Sequence, residues 1–99
     1  VVVELIDLFL QDAPARLALA RGALEASKAV EAGEAAHSLK GSARNLRAGQ
    51  LAKACEALEK IGKTGSLDDA ETLLGQAEAE LQKVTTLLEQ QKKALGQVD

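Results

Sequence analysis

Residues 70–90 read AETLLGQAEAELQKVTTLLEQ. Ala70, Leu74, Ala77, Leu81, Val84 and Leu88 advance by alternate steps of four and three, which lays one apolar stripe along an α-helix. Taken alone, that stripe is a coiled-coil seam. The remainder of the chain decides otherwise, because it holds further stripes of the same kind that also require burial. Ser66 with Asp69 three residues on resembles a capping box at the start of this helix. Upstream, Leu51, Ala54, Cys55, Leu58 and Ile61 form the inner face of another helix. Gly49 marks its start, and Gly62 stands where a left-handed C-terminal residue belongs. A helix from about Ala29 to Leu46 precedes it, and before that one more carries Leu17, Ala20 and Leu24, flanked by Ala23, and ends near Ser27. Asp12 and Pro14 suit the cap and first turn of that helix. Val2, Leu5, Ile6, Phe9 and Leu10 then make a separate short helix. The expected fold is all-α: an antiparallel up-down four-helix bundle with a short N-terminal capping helix. One domain fills residues 1–99, with its core in 2–91 and a frayed tail in 92–99.

Composition narrows the function. The 99 residues are 46% hydrophobic and 27% charged, ordinary for a soluble globular domain. The apolar set is mainly Ala, Leu and Val, and Phe9 is the sole aromatic residue. A formal net charge of -3 argues against nucleic acid, whose binding depends on Lys and Arg meeting phosphates. A single aromatic gives no platform for stacking bases. No run of eighteen apolar residues is present, so no membrane contact is expected. The start lacks the basic segment and cleavage site of a signal peptide, and the expected location is cytoplasmic. With no initiator Met, the chain is expected to be a piece of a longer protein. Cys55, the only cysteine, sits on an apolar stripe and is expected to be a buried free thiol. One Cys and one His do not make a zinc site.

The single histidine lies in EAAHSLKGSARNL, residues 34–46. On a helical wheel Ala32, Ala35, Leu39, Ser42, Ala43 and Leu46 gather on one side, and His37 falls roughly 160° from Leu39. His37 is therefore expected to face outward. Gly33 and Gly41 stand one turn to either side of it, although each glycine costs a helix about 1 kcal/mol relative to Ala. Their missing Cβ atoms would let another molecule approach the imidazole. Lys40 offers a mobile positive charge about one turn away, and Arg44 a second. Neutral imidazole is a competent nucleophile near neutral pH. Exposed nucleophile, cleared approach and nearby cation suit acceptance of a phosphoryl group from a second protein. Hydrolysis is not suited, because no second base or metal site is apparent to activate water.

AHSLKGSARNL resembles the signature of histidine-containing phosphotransfer domains, His-x-Leu-Lys-Gly-Ser followed by an Ala-rich helix ending in Leu-Gly. His37, Leu39, Lys40, Gly41, Ser42, Ala43, Asn45 and Leu46 fit it. LIDLFLQDAPARL also looks like the family's first two helices, so the resemblance runs from about Val2 to Gln91. It implies an all-α bundle whose surface histidine takes a phosphoryl group from a receiver-domain aspartate and passes it to another receiver. On this basis His37 is the phosphorylated residue, Lys40 the charge beside the phosphoryl group and Gly41 the residue that admits the receiver. Gly33, Ser42 and Arg44 are supporting residues. No cofactor is intrinsic; the magnesium ion is carried by the receiver. The expected partners are response-regulator receiver domains, with a histidine kinase as a further candidate, and the domain is expected to be a monomeric phosphocarrier. Phe9 is expected to join the docking surface as an exposed apolar side chain. Arg47 departs from the pattern, standing where the family usually has Gly. Two alternatives stay open: a helical interaction or scaffold module without phosphotransfer, and the phosphotransfer domain of a chemotaxis-type kinase.

Overall fold

The computed structural model describes residues 2–96, apart from the side chain of Val2. These residues form four helices and no strand: α1 (Val2–Glu25), α2 (Ala29–Asn45), α3 (Gly49–Thr64) and α4 (Ala70–Gly96). Each helix packs on two neighbours, α1 on α2 and α4, α3 on α2 and α4, which closes a four-helix bundle. Three-residue turns join α1 to α2 and α2 to α3, and short connections of this kind make consecutive helices antiparallel. The stripe of α4 enters this bundle: Ala70, Leu74, Ala77, Leu81 and Leu88 are buried with Leu39, Leu51, Leu58 and Cys55 of α2 and α3.

The expected capping helix is not a separate element. Residues 2–25 run as one helix with Pro14 inside it. The reason lies in Ala13. Ile6, Phe9, Ala13, Leu17 and Ala20 are all buried, and their steps of three and four cross the Asp12–Pro14 segment without interruption. Proline in a helix interior costs about 3 kcal/mol. Full burial of a side chain such as Ile or Phe contributes about 1.5–3 kcal/mol each, so Ile6 and Phe9 together offset the proline. Asp12 accordingly caps nothing; its carboxylate accepts a hydrogen bond from Arg16 Nε at 2.8 Å, one turn on.

Three further expectations change. The helix does not fray after Gln91 but continues to Gly96, where Lys92 pairs with Asp7 of α1; the last part of the expected tail, residues 97–99, lies outside the described residues. Gly62 does not end α3. Gly65 does, with φ 75° and its N–H donated to the Ile61 carbonyl at 2.8 Å. Phe9 is only 5% exposed and belongs to the core, which removes it as a docking residue. At its position the stripe points toward the bundle axis. Leu5 and Leu8 are the α1 leucines left exposed near it.

The turns after α1 and α2 share one design. Lys28 N–H donates to the Ala23 carbonyl and Ser27 N–H to Leu24; Ala48 N–H donates to Ala43 and Arg47 N–H to Arg44. Each is a Schellman ending, which requires a left-handed residue. Ser27 and Arg47 fill that role at φ 59°, without being glycine. Arg47, like Ser27, adopts this conformation at a cost. Arg21 of α1 reaches Glu71 and Glu78 of α4 at 3.3 and 2.9 Å, an exposed clip that adds little stability.

Candidate functional site

His37 stands midway along α2, with 66% of its side chain exposed. Beneath it the helix buries Ala32, Ala36, Leu39 and Ala43 at zero exposure, so the backbone that carries the imidazole is anchored on the core. The buried row is turned slightly from the expected one: Ala36 is inside, while Ala35 is partly exposed.

The imidazole is held from α3. His37 Nδ1 lies 2.7 Å from Glu59 Oε2, and Lys40 Nζ donates to Glu59 Oε1 at 2.6 Å. One carboxylate therefore bridges histidine and lysine. Glu59 and Lys40 are 14% and 13% exposed, so this pair is largely sheltered, whereas the imidazole projects from it. The Lys40 hydrogen bond is the first cause that holds the Glu59 carboxyl below its ordinary pKa; the His37 contact adds to it, and burial opposes it. Glu59 is accordingly an ionised carboxylate at neutral pH and can only accept hydrogen bonds. A neutral His37 then carries its proton on Nδ1 and donates it to Glu59. That leaves the Nε2 lone pair free. Lys40 offsets the carboxylate's negative charge, which would otherwise repel an incoming anion.

Lys40 is thus not the mobile surface charge expected of it, because Glu59 fixes it in place. Gly41 is exposed, and a Cβ placed there would meet nothing within 4 Å. Gly33 differs. It is buried, and a Cβ there would lie 2.9 Å from Gly62 Cα and 3.0 Å from the Glu59 carbonyl oxygen. Its missing side chain admits α3, not a partner molecule. Arg44 is exposed and pairs with Glu56 at 3.3 Å, a surface contact of small energetic weight. Ser42 is half-buried toward α1 and lines a small cavity with Leu5, Leu8, Phe9 and Asp12. Its hydroxyl lies 3.5 Å from the Ser38 carbonyl, at the limit of a hydrogen bond.

A groove of about 400 Å³ opens beside the imidazole, between α2 and α3, lined by Val30, Gly33, Glu34, Glu59 and Gly62 among others. Under the site, Cys55 is fully buried, and desolvation pushes its thiol up to about 11 against the opposing charge of Lys40. A thiol in that state is protonated and unreactive. Among the described residues no three or more His, Cys, Asp or Glu side chains gather as a metal site. No helix among them is long and apolar enough to cross a membrane.

Glu59 is the residue in contact with His37 and Lys40 that the sequence alone did not single out. In the sequence it directly follows Leu58 of the α3 stripe and looks like one of many solvated glutamates. Its available signal was its place on the edge that also carries Gly62, three residues on, but that edge acquires meaning only when α2 lies against it.

Comparisons with known proteins show the family and the fold. The model of the Hpt domain family matches residues 4–95. The crystal structure of histidine-containing phosphotransfer protein B (HptB) from Pseudomonas aeruginosa PAO1 superposes with a TM-score of 0.90 at 35% identity, covering 93% of this chain and 80% of that one. Among curated proteins nothing matches.

Proposed function

Since the chain belongs to the Hpt domain family and so has a histidine phosphotransfer role in two-component relays, we propose that His37 Nε2 is the atom that carries the phosphoryl group between receiver domains. The observation that supports this most directly is the Glu59 contact, which takes up Nδ1 of an exposed ring and so favours, in the neutral imidazole, the tautomer with a free Nε2 lone pair. In the forward step the Nε2 lone pair attacks the phosphorus of a receiver's aspartyl phosphate. The N–P bond forms, the P–O bond to aspartate breaks, and the aspartate leaves as carboxylate. Glu59 holds the Nδ1 proton and stabilises the positive charge that develops on the ring. Lys40 keeps Glu59 ionised and aimed. The return step reverses this sequence onto a second receiver. The magnesium ion belongs to the receiver in this scheme.

Gly41 gives the receiver close access to the ring, and the exposed Leu5, Leu8 and Leu19 of α1 extend the contact surface. The interface is small and transient, as passing a group onward requires. The domain works as a monomeric carrier in the cytoplasm.

The test is transfer from a receiver charged with a small phosphodonor and magnesium. The expected product is an acid-labile, base-stable phosphohistidine, absent from His37→Gln. Glu59→Gln should slow transfer roughly tenfold to hundredfold, as for loss of a hydrogen bond to a charged group. Phosphorylation that persists in His37→Gln would refute the assignment.

A further inference from the structure

Glu59 and His37 sit on different helices, so their contact depends on how closely α2 and α3 approach. Gly33 and Gly62 lie at that approach. A Cβ on Gly33 would stand 2.9 Å from Gly62 Cα, 3.0 Å from the Glu59 carbonyl oxygen and 3.2 Å from Gly62 N. A Cβ on Gly62 would stand 3.2 Å from Gly33 Cα and 3.3 Å from the Ala29 carbonyl oxygen. Every one of these neighbours is backbone, so no flexible side chain can swing aside.

The register then delivers the site. From the glycine contact, His37 lies four residues along α2 and Glu59 three residues back along α3. At 1.5 Å per residue these are displacements of about 6 Å and about 4.5 Å in the same direction along an antiparallel pair. Glu59 therefore arrives beside His37, with Lys40 three residues further along α2. We infer that Gly33 and Gly62 are positioning residues: their backbone contact sets the α2–α3 spacing at which Glu59 holds the His37 Nδ1 proton.

The distances show how little slack exists. Carbon atoms in ordinary contact sit about 3.5–4.0 Å apart. An alanine methyl at position 33 therefore moves α3 outward by about 0.6–1.1 Å, pressing on the backbone of Glu59 itself. The His37–Glu59 contact is 2.7 Å and the Lys40–Glu59 contact 2.6 Å. Such a displacement carries at least one of them past the range of about 2.7–3.2 Å in which a hydrogen bond is strong. The consequence for phosphotransfer rests on His37 being the acceptor; the positioning of the imidazole does not.

The experiment reads the tautomer of the neutral imidazole in the free protein by ¹⁵N NMR. Wild type should favour the Nδ1–H form. Gly33→Ala should reduce that preference roughly tenfold, the loss of one charge-assisted hydrogen bond, and Gly62→Ala by less. Gly75→Ala is the control for placing alanine in a helix, since a Cβ there meets nothing within 4 Å; it should change nothing. In a Glu59→Ala background Gly33→Ala should have no further effect, whereas a merely structural disturbance of the ring would still add. A folded Gly33→Ala with the wild-type tautomer ratio overturns the inference. If that variant does not fold, Gly62→Ala decides by the same criterion. A wild type that shows the tautomer preference but forms no phosphohistidine leaves the positioning intact and removes the acceptor assignment, so the two failures are distinguishable.

Discussion

Arg47→Gly should stabilise this protein. Arg47 occupies the left-handed position of the turn after α2, at φ 59°, with its N–H donated to Arg44 and the next N–H to Ala43. A non-glycine L-residue bears a cost of about 1–2 kcal/mol in that region, from Cβ crowding the following carbonyl. Glycine lacks the Cβ but gives the unfolded chain more freedom, which returns about 0.5–1 kcal/mol. The net gain is about 0.5–1 kcal/mol. For a domain of this length 1 kcal/mol moves the melting temperature by about 4–8 °C, so the variant should melt about 2–8 °C higher. Urea denaturation supplies the free energy directly, with an unchanged slope showing that the two-state comparison holds. Arg47→Ala is the control. It keeps the Cβ and so the strain, and it should stay within about 0.5 kcal/mol of wild type. Equal stability of Arg47→Gly and Arg47→Ala would refute the argument, because it would mean that backbone strain at this position contributes nothing.

Other outcomes follow from the same structure. Pro14→Ala should raise stability by about 1–3 kcal/mol in urea melts, since it restores an amide donor for the Leu10 carbonyl inside a continuous helix. Glu59 has a depressed folded pKa, so its stabilising contribution is fully present above the ordinary carboxylate value of about 4.3 and is lost as pH falls through the folded value. A pH series of melts should show that acid loss in wild type and less of it in Glu59→Gln. Leu8→Glu should weaken transfer from a cognate receiver by raising the half-saturating receiver concentration at unchanged melting temperature, because Leu8 is 61% exposed. Phe9→Ala should instead lower stability by about 3–5 kcal/mol, the range for a buried aromatic.

The helices were legible because periodicity is local. The stripe of α4 appears in the order of Ala70, Leu74, Ala77, Leu81 and Leu88, and each of these is buried. The exposed side of α2 could likewise be read by angle from Leu39 to His37. The break expected at Asp12–Pro14 is absent for a related reason. Local turn chemistry favours it, but the core contacts of Ile6 and Phe9 outweigh it, and those contacts exist only in the packed bundle.

The amino-acid order by itself determined the all-helical class, the identity of the histidine motif from His37 to Leu46, and the outward direction of His37. All of these depend on residues within a few turns of one another. Tertiary structure alone decided that Gly33 meets Gly62 and that Lys40 is bound in place. It also decided that Glu59, 22 residues from His37, completes the site. Those relations cross from one helix to another. Their distances follow from the closeness of α2 and α3, a quantity that no single helix contains.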